Sequence, residues 1–343
     1  MKAKLLKSTR DGENTFPGQS KPMTHSRWQP TASIENQRLR AQLLRDIRQF
    51  FAERKVMEVE TPILSQHTVT DIHIDSFQTT YLNGKEKQHY YLQTSPEYAM
   101  KRLLSAGSGP IYQICKAFRN GESGSQHNPE FSMLEWYRPD FSCHDLMDEM
   151  DELLQFILQS KKASRITYEE LFLKHLGINP HQISLHQLQS LANQFSLENS
   201  TEYNDRNTLL QFLFSECLEP KIGFDAPLFV YHFPATQAAL SKINPQDPNV
   251  ALRFEVYIQG MECANGFEEL TNADEQRQRF LNDNTKRNQQ NRPSINIDER
   301  FLAALIHGLP PCAGVAVGLD RLIMIKAERK CIDDVINFPW ERA

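Results

Sequence analysis

The chain has 343 residues, of which 40% are apolar and 24% charged, a composition suited to a soluble globular protein of one large domain or two ordinary ones. Its 43 acidic and 38 basic residues leave a formal charge of −5, so no global basic field marks a nucleic-acid binder. The 6 cysteines are scattered without C-x-x-C or zinc-type spacing, and no segment has signal-peptide or membrane-span character. Neither a disulfide scaffold, a structural zinc nor a membrane protein is supported, and a reducing, cytoplasmic location is expected.

Residues 1–30 are polar and broken by Gly12, Pro17, Gly18, Pro22 and Pro30, and read as a flexible arm. Ser33 is placed to cap a helix whose stripe is Leu39, Leu43, Ile47 and Phe50, with Glu35 in the first turn. VMEVETPIL, Val56 to Leu64, alternates like a strand that ends or bends at Pro62. QHYYLQTSPEYAMKRLLSAG predicts a short strand, then a helix opening at Ser95 or Pro96 with Glu97 in its first turn. Ile111 to Phe118 is a further strand, FSMLEWY another, and Cys143 to Gln159 an amphipathic helix.

Residues 160–220 carry helical apolar spacing and read as a helical excursion. Strands return in PLFVYHFP and LRFEVYIQGMECANGF, followed by a long polar helix in TNADEQRQRFLNDNTKRNQQ. In GLPPCAGVAVGLDRLIMIKAERK small residues lead a strand into a last helix. Helices and hairpins without β-α-β regularity predict an α+β fold, an antiparallel sheet flanked by helices. No dinucleotide-type or P-loop glycine motif is present.

Period-2 geometry puts Phe131, Met133, Glu135 and Tyr137 on one face of their strand, and Ser132, Leu134 and Trp136 on the other. Two readings of Glu135 stand: a solvated edge carboxylate, or a pocket carboxylate that holds an ammonium beside the Tyr137 hydroxyl. A two-residue turn at Gln259-Gly260 would pair Tyr257 with Glu262 and set Glu255 and Glu262 diagonally on one face. That pair is either a solvated acidic ribbon or a seat for Mg²⁺, a hard ion that takes oxygen ligands and phosphate company. A break in parity is expected near Asn265-Gly266, before Glu268 and Glu269. Arg119 and Arg321 offer guanidinium forks for phosphate or carboxylate, or are surface ion-pair partners.

These residues carry a family resemblance over residues 31–343. EVETPIL, FRN…HNPEFSMLEWY and GVAVGLDRLIM resemble motifs 1, 2 and 3 of class II aminoacyl-tRNA synthetases, and RFEVYIQGMECANGFEEL resembles the lysyl type. Lysyl enzymes carry an anticodon-binding barrel before this core; here about thirty polar residues precede it. The resemblance therefore narrows to a stand-alone paralogue family, the elongation factor P–(R)-β-lysine ligases. It implies ATP and Mg²⁺ as co-substrate and cofactor, activation of (R)-β-lysine as an acyl-adenylate, elongation factor P as acyl acceptor, no stable tRNA binding, and a homodimer.

By the same resemblance Arg119 and Arg321 are the catalytic arginines. Arg119, Glu122, His127, Phe131, Glu262 and Arg321 bind ATP, and Glu255 and Glu262 hold the metal. Ser95, Glu97, Arg119, Glu135, Tyr137, Asn265, Phe267, Glu269 and Ala316 form the amino-acid pocket. Ser95 and Ala316 stand where lysyl enzymes usually have Ala and Gly, which implies a narrower pocket for a β-amino acid. The chain departs from motif 2, which reads Arg-x-Glu: Gly121 takes the glutamate position, Glu122 follows, and SGSQH lacks the loop arginine. Two other readings remain, an α-lysine tRNA-charging enzyme and a catalytically silent synthetase-like regulator.

Overall fold

The Ser33 side chain accepts the Asn36 N–H at 3.1 Å and opens α1 (Ile34–Glu53), which buries Leu43, Ile47, Phe50 and Phe51. The computed structural model describes residues 28–197 and 199–343, so the arm expected over 1–30 lies, up to residue 27, outside the described residues. The strand expected over Val56 to Leu64 is broken in two, β1 (Met57–Glu58) and β2 (Leu64–Ser65), which join different sheets. Pro62 between them has no N–H to give a ladder and restricts the residue before it. β3 (Gln78–Asn83) and β4 (Glu86–Leu92) form a hairpin that pairs with β2. Every residue of β3 is exposed, so no buried face marked it in the sequence.

The chain continues through α2 (Glu97–Ser105), β5 (Ile111–Phe118), β6 (Glu130–Pro139) and α3 (Cys143–Leu158), all near their expected bounds. Residues 160–220 contain β7 (Ser164–Thr167), which sequence periodicity did not reveal, then α4 (Tyr168–Leu176), α5 (Leu185–Gln194) and α6 (Arg206–Leu213). β8 (Leu228–Tyr231), β9 (Arg253–Ile258) and β10 (Met261–Glu268) follow, then α7 (Ala273–Gln289), the unforeseen α8 (Glu299–Gly308), β11 (Cys312–Gly318) and α9 (Leu319–Lys326).

The main sheet has eight strands in the order β1-β5-β6-β11-β10-β9-β8-β7. Its six central strands are antiparallel, and only the outermost pairs, β1 with β5 and β7 with β8, are parallel. One face is sealed: Leu134, Trp136, Val315 and Val317 pack against Leu146 and Met150 of α3 and Leu322 of α9. On the other face Tyr137 packs with Met100 and Leu104 of α2 and Phe301 of α8. The 160–220 helices close over the β8–β9 end through Tyr168, Phe172, Leu213 and Phe214 against Val230 and Tyr257. No described helix is long and apolar enough to cross a membrane.

Candidate active site

The face of β6 that carries Phe131, Met133, Glu135 and Tyr137 opens onto a cleft of about 700 Å³. The residues assigned by resemblance to catalysis, ATP, metal and amino acid all line this one cleft: Ser95, Glu97, Arg119, Glu122, His127, Phe131, Glu135, Tyr137, Glu255, Glu262, Asn265, Phe267, Glu269, Ala316 and Arg321. Glu135 is 2% exposed and lines the cleft, so it is not a solvated edge carboxylate.

A first group surrounds Glu135. Tyr137 OH donates to Glu135 Oε1 and Ser95 Oγ to Glu135 Oε2, each at 2.7 Å. Ser95 Oγ also accepts the Glu97 N–H at 3.1 Å, so the residue before Pro96 ties the start of α2 to the pocket floor. Lys101, fully buried one turn later, bridges Glu97 Oε1 at 2.6 Å and Glu269 Oε2 at 2.5 Å. Burial and the Glu97 charge raise the Glu135 carboxyl to about 7. Burial raises Glu269 to about 8, with Lys101 pulling downward and Glu97 upward. β11 comes close beneath: a Cβ at Gly314 would lie 2.3 Å from the Tyr137 ring and 2.8 Å from Glu269 Oε1. Ala316 pairs with Glu135 on one side and Asn265 on the other.

A second group surrounds Arg321. Its guanidinium donates to the Glu262 carbonyl at 2.5 Å, and Nη2 lies 2.6 Å from His127 Nε2. Arginine can only donate, so that imidazole nitrogen accepts. Burial and Arg321 lower His127 to about 4, and the ring is neutral at physiological pH. The preceding residue, Asp320, takes Arg40 and the Ser132 N–H, which anchors the head of α9 to β6. Arg119 Nε donates to the Thr94 carbonyl at 3.4 Å, and its guanidinium lies 5.2 Å from the Phe131 ring centre. Gly121 turns the loop at φ 80°, a left-handed conformation that suits glycine, and Glu122 Oε1 lies 3.9 Å from Arg119 Nη1.

The hairpin pairs Ile258 with Met261 and Tyr257 with Glu262, around Gln259 at φ 52° and Gly260 at φ 71°. The break in parity falls between Glu262 and Ala264, earlier than the expected Asn265-Gly266. Glu255 accepts from Arg253 and from Tyr257 OH. Burial raises its pKa, Arg253 opposes this, and the neighbouring Glu262 adds to it. Among the described residues no cluster of three or more His, Cys, Asp and Glu side chains is arranged for a metal. Glu255 and Glu262 supply two carboxylates from adjacent strands that line the cleft, a donor set suited to a hard cation that brings phosphate oxygens with it.

Sequence reasoning missed Arg253 and Glu219, which line the cleft, and Lys101, which is fully buried and bonded to two of the lining carboxylates. Lys101 carried one available signal, its i,i+4 spacing from Glu97. Arg253 joins Asn265 Oδ1 at 3.1 Å to Glu255 and lies 5.9 Å from the Phe267 ring centre. Glu219, buried at 8% exposure, enters from the 160–220 segment; burial raises its pKa to about 7.

The chain is similar to known proteins over most of its length. The family profile of class II tRNA synthetases (D, K and N) matches residues 24–342. The chain is 56% identical to the elongation factor P–(R)-β-lysine ligase of Vibrio cholerae over 94% of its own length and 100% of the relative's. It is 55% identical to the ligase of that name from Photobacterium profundum, over 92% and 99%. With the same-named protein of Pectobacterium carotovorum identity is 53%, over 92% and 98%.

Proposed function

We propose a function from the premise that the chain belongs to the class II tRNA synthetases (D, K and N) and, within them, to the elongation factor P–(R)-β-lysine ligases: it activates (R)-β-lysine with ATP and transfers the acyl group to a lysine side chain of elongation factor P. It is an ATP-dependent amino-acid ligase. The observation that carries the finer reading is the cleft itself, with buried carboxylates for ammonium groups beside two arginines and an aromatic ring for a nucleotide.

Glu97, Glu135 and Glu269 hold the ammonium groups of the substrate, with Tyr137 and Ser95 orienting Glu135. Asn265 and Phe267 form a side wall, and Ala316 limits depth beneath Glu135. The adenine stacks on Phe131, with Glu122 and His127 at the loop that covers it. Arg119 bridges the substrate carboxylate and the α-phosphate, and Arg321 holds the far end of the triphosphate. Glu255 and Glu262 would hold Mg²⁺, which when bound neutralises phosphate charge.

A substrate carboxylate oxygen attacks the α-phosphorus in line. The bond to pyrophosphate breaks, and the acyl-adenylate remains. The acceptor amine nitrogen then attacks the carbonyl carbon, loses a proton, and AMP leaves with the C–O electron pair. Positioning and charge neutralisation supply the acceleration, without a covalent enzyme intermediate. Met57, Ile63 and Leu64 are exposed apolar residues flanking Pro62, which supports a homodimer through this edge. A cytoplasmic location fits the proposed acceptor.

The test is ATP–pyrophosphate exchange with Mg²⁺ and (R)-β-lysine, (S)-β-lysine or L-α-lysine, followed by mass spectrometry of elongation factor P. The expected result is preferential exchange with (R)-β-lysine and a one-residue mass gain on one acceptor lysine. Preference for L-α-lysine, or no exchange, overturns this reading.

A further inference from the structure

The amino-acid pocket holds more negative charge than its internal cation can balance. Glu97, Glu135 and Glu269 contribute three carboxylates, and Lys101 is the cation bonded among them. Their exposures are low: Lys101 is fully buried, Glu135 is 2% and Glu269 3% exposed. The groups facing this cluster are Glu97, Tyr98 and Lys101 from α2, Glu135 and Tyr137 from β6, Glu269 after β10, Cys312 from β11, Cys115 from β5 and Cys143 from α3. The Phe301 ring of α8 closes over Lys101, its centre 6.0 Å from Nζ. Tyrosine and cysteine are neutral here, because burial raises them all.

The remainder is two uncompensated negative charges in a desolvated site. Such charges are relieved by protonation or by a ligand of opposite sign. Resting on the reading above, we infer that Lys101 is a positioning residue that sets the charge count of the pocket: by neutralising one of three carboxylates, it matches the site to a ligand with two ammonium groups. Burial works to lower the Lys101 pKa, but Glu269 and Glu97 more than offset it and keep the ammonium charged. Its Nζ also fixes the separation of Glu97 and Glu269, and so the span between the ammonium groups that the site accepts. In the empty pocket, protons on Glu135 and Glu269 stand in for the missing cations; a diamine must displace them.

Calorimetry in two buffers of different ionisation enthalpy, at pH 7.5, reads those protons. The ligands are (R)-β-lysine, 1,5-diaminopentane and, as monocationic control, 1-aminopentane. With carboxyls near 7 and 8, the empty wild-type site carries about one proton at this pH, which diamine binding releases. The monoamine is expected to bind at least tenfold more weakly. Lys101→Gln leaves three charges uncompensated, so release rises towards two, and diamine affinity falls at least tenfold and recovers as pH is raised. Lys101→Gln combined with Glu97→Gln restores a remainder of two charges, so proton release returns to about one.

Unchanged proton release across the three proteins overturns the inference, leaving Lys101 a packing residue. If Lys101→Gln does not fold, Lys101→Met is read instead: proton release above the wild-type value supports the inference, and release equal to the wild-type value overturns it. The substrate reading is tested separately by pyrophosphate exchange. Proton-linked diamine binding without exchange sinks that reading and keeps the charge count; exchange without proton linkage does the reverse.

Discussion

Gly314→Ala tests how tightly β11 underlies the amino-acid pocket. The new Cβ would stand 2.3 Å and 2.4 Å from two Tyr137 ring carbons and 2.8 Å from Glu269 Oε1. Carbon atoms rest at about 3.5–4.0 Å, so the ring must retreat by more than about 1 Å. The Tyr137 hydroxyl is held 2.7 Å from Glu135. A shift of that size takes the pair beyond hydrogen-bond length. Overpacking costs about 1–3 kcal/mol of stability, and a lost hydrogen bond to a charged group about 1.5–3 kcal/mol of pocket organisation. If the second amount appears in substrate binding, KM for the amino acid rises roughly ten- to a hundredfold. KM for ATP should change by less than about twofold, since the atoms nearest the new Cβ belong to Tyr137 and Glu269 and not to the group around Arg321. The assay is pyrophosphate exchange with each substrate varied in turn, beside a thermal melt. A variant with unchanged amino-acid KM and unchanged melting temperature would show that the collision relaxes elsewhere and refute the reasoning.

Three other changes have defined outcomes. Arg119→Lys keeps the charge but loses the fork that reaches the Thr94 carbonyl and stacks near Phe131, so exchange at saturating ATP should fall about ten- to a hundredfold; full activity would remove Arg119 from the chemistry. Ala316→Gly opens space beside Glu135 and Asn265, and the preference for (R)-β-lysine over α-lysine should drop about tenfold, as a methylene-sized change permits; a constant ratio removes Ala316 from specificity. Above pH 6.5 the stability of the empty protein should fall towards pH 8, because carboxyls raised to about 7 and 8 make the folded state bind more protons than the unfolded one. His127, lowered to about 4, acts below that window, where stability is lost as pH falls, so thermal melts rising from pH 6.5 to 8 would contradict the assignment.

Local periodicity made much of the site legible. Period 2 in FSMLEWY was enough to place four cleft side chains on one face, and the turn at Gln259-Gly260 was enough to pair Tyr257 with Glu262. Both inferences need only strand geometry. β3 escaped because an exposed strand has no apolar alternation, and β7 because four residues are too few to show a period. Lys101 escaped for a different reason. It lies beside Met100, within three residues of Leu104, and a lone lysine in a helix ordinarily reads as a solvated charge. Only the tertiary approach of Glu269 explains a lysine with no exposed surface. Arg253 is similar, since its partners Gln237 and Asn265 lie on separate segments.

The bulge in β10 explains how one strand serves both groups of the cleft. In an unbroken strand Glu262 would share its face with positions 264, 266 and 268. Instead Ala264 belongs to the sealed core, and a Cβ on Gly266 would strike the buried Phe254 ring. Asn265, Phe267 and Glu269 take the cleft face together with Glu262. One extra residue at Cys263 therefore switches parity between the carboxylate proposed for metal and nucleotide and the three side chains proposed for the amino acid. The switch also explains why Gly266 is small: with parity reversed, its side-chain position points at the Phe254 ring, 2.3 Å from its nearest carbon. A sequence pattern that looked irregular, MECANGFEEL, is thus two regular patterns joined at Cys263, and the proposed reaction requires both to meet at one substrate.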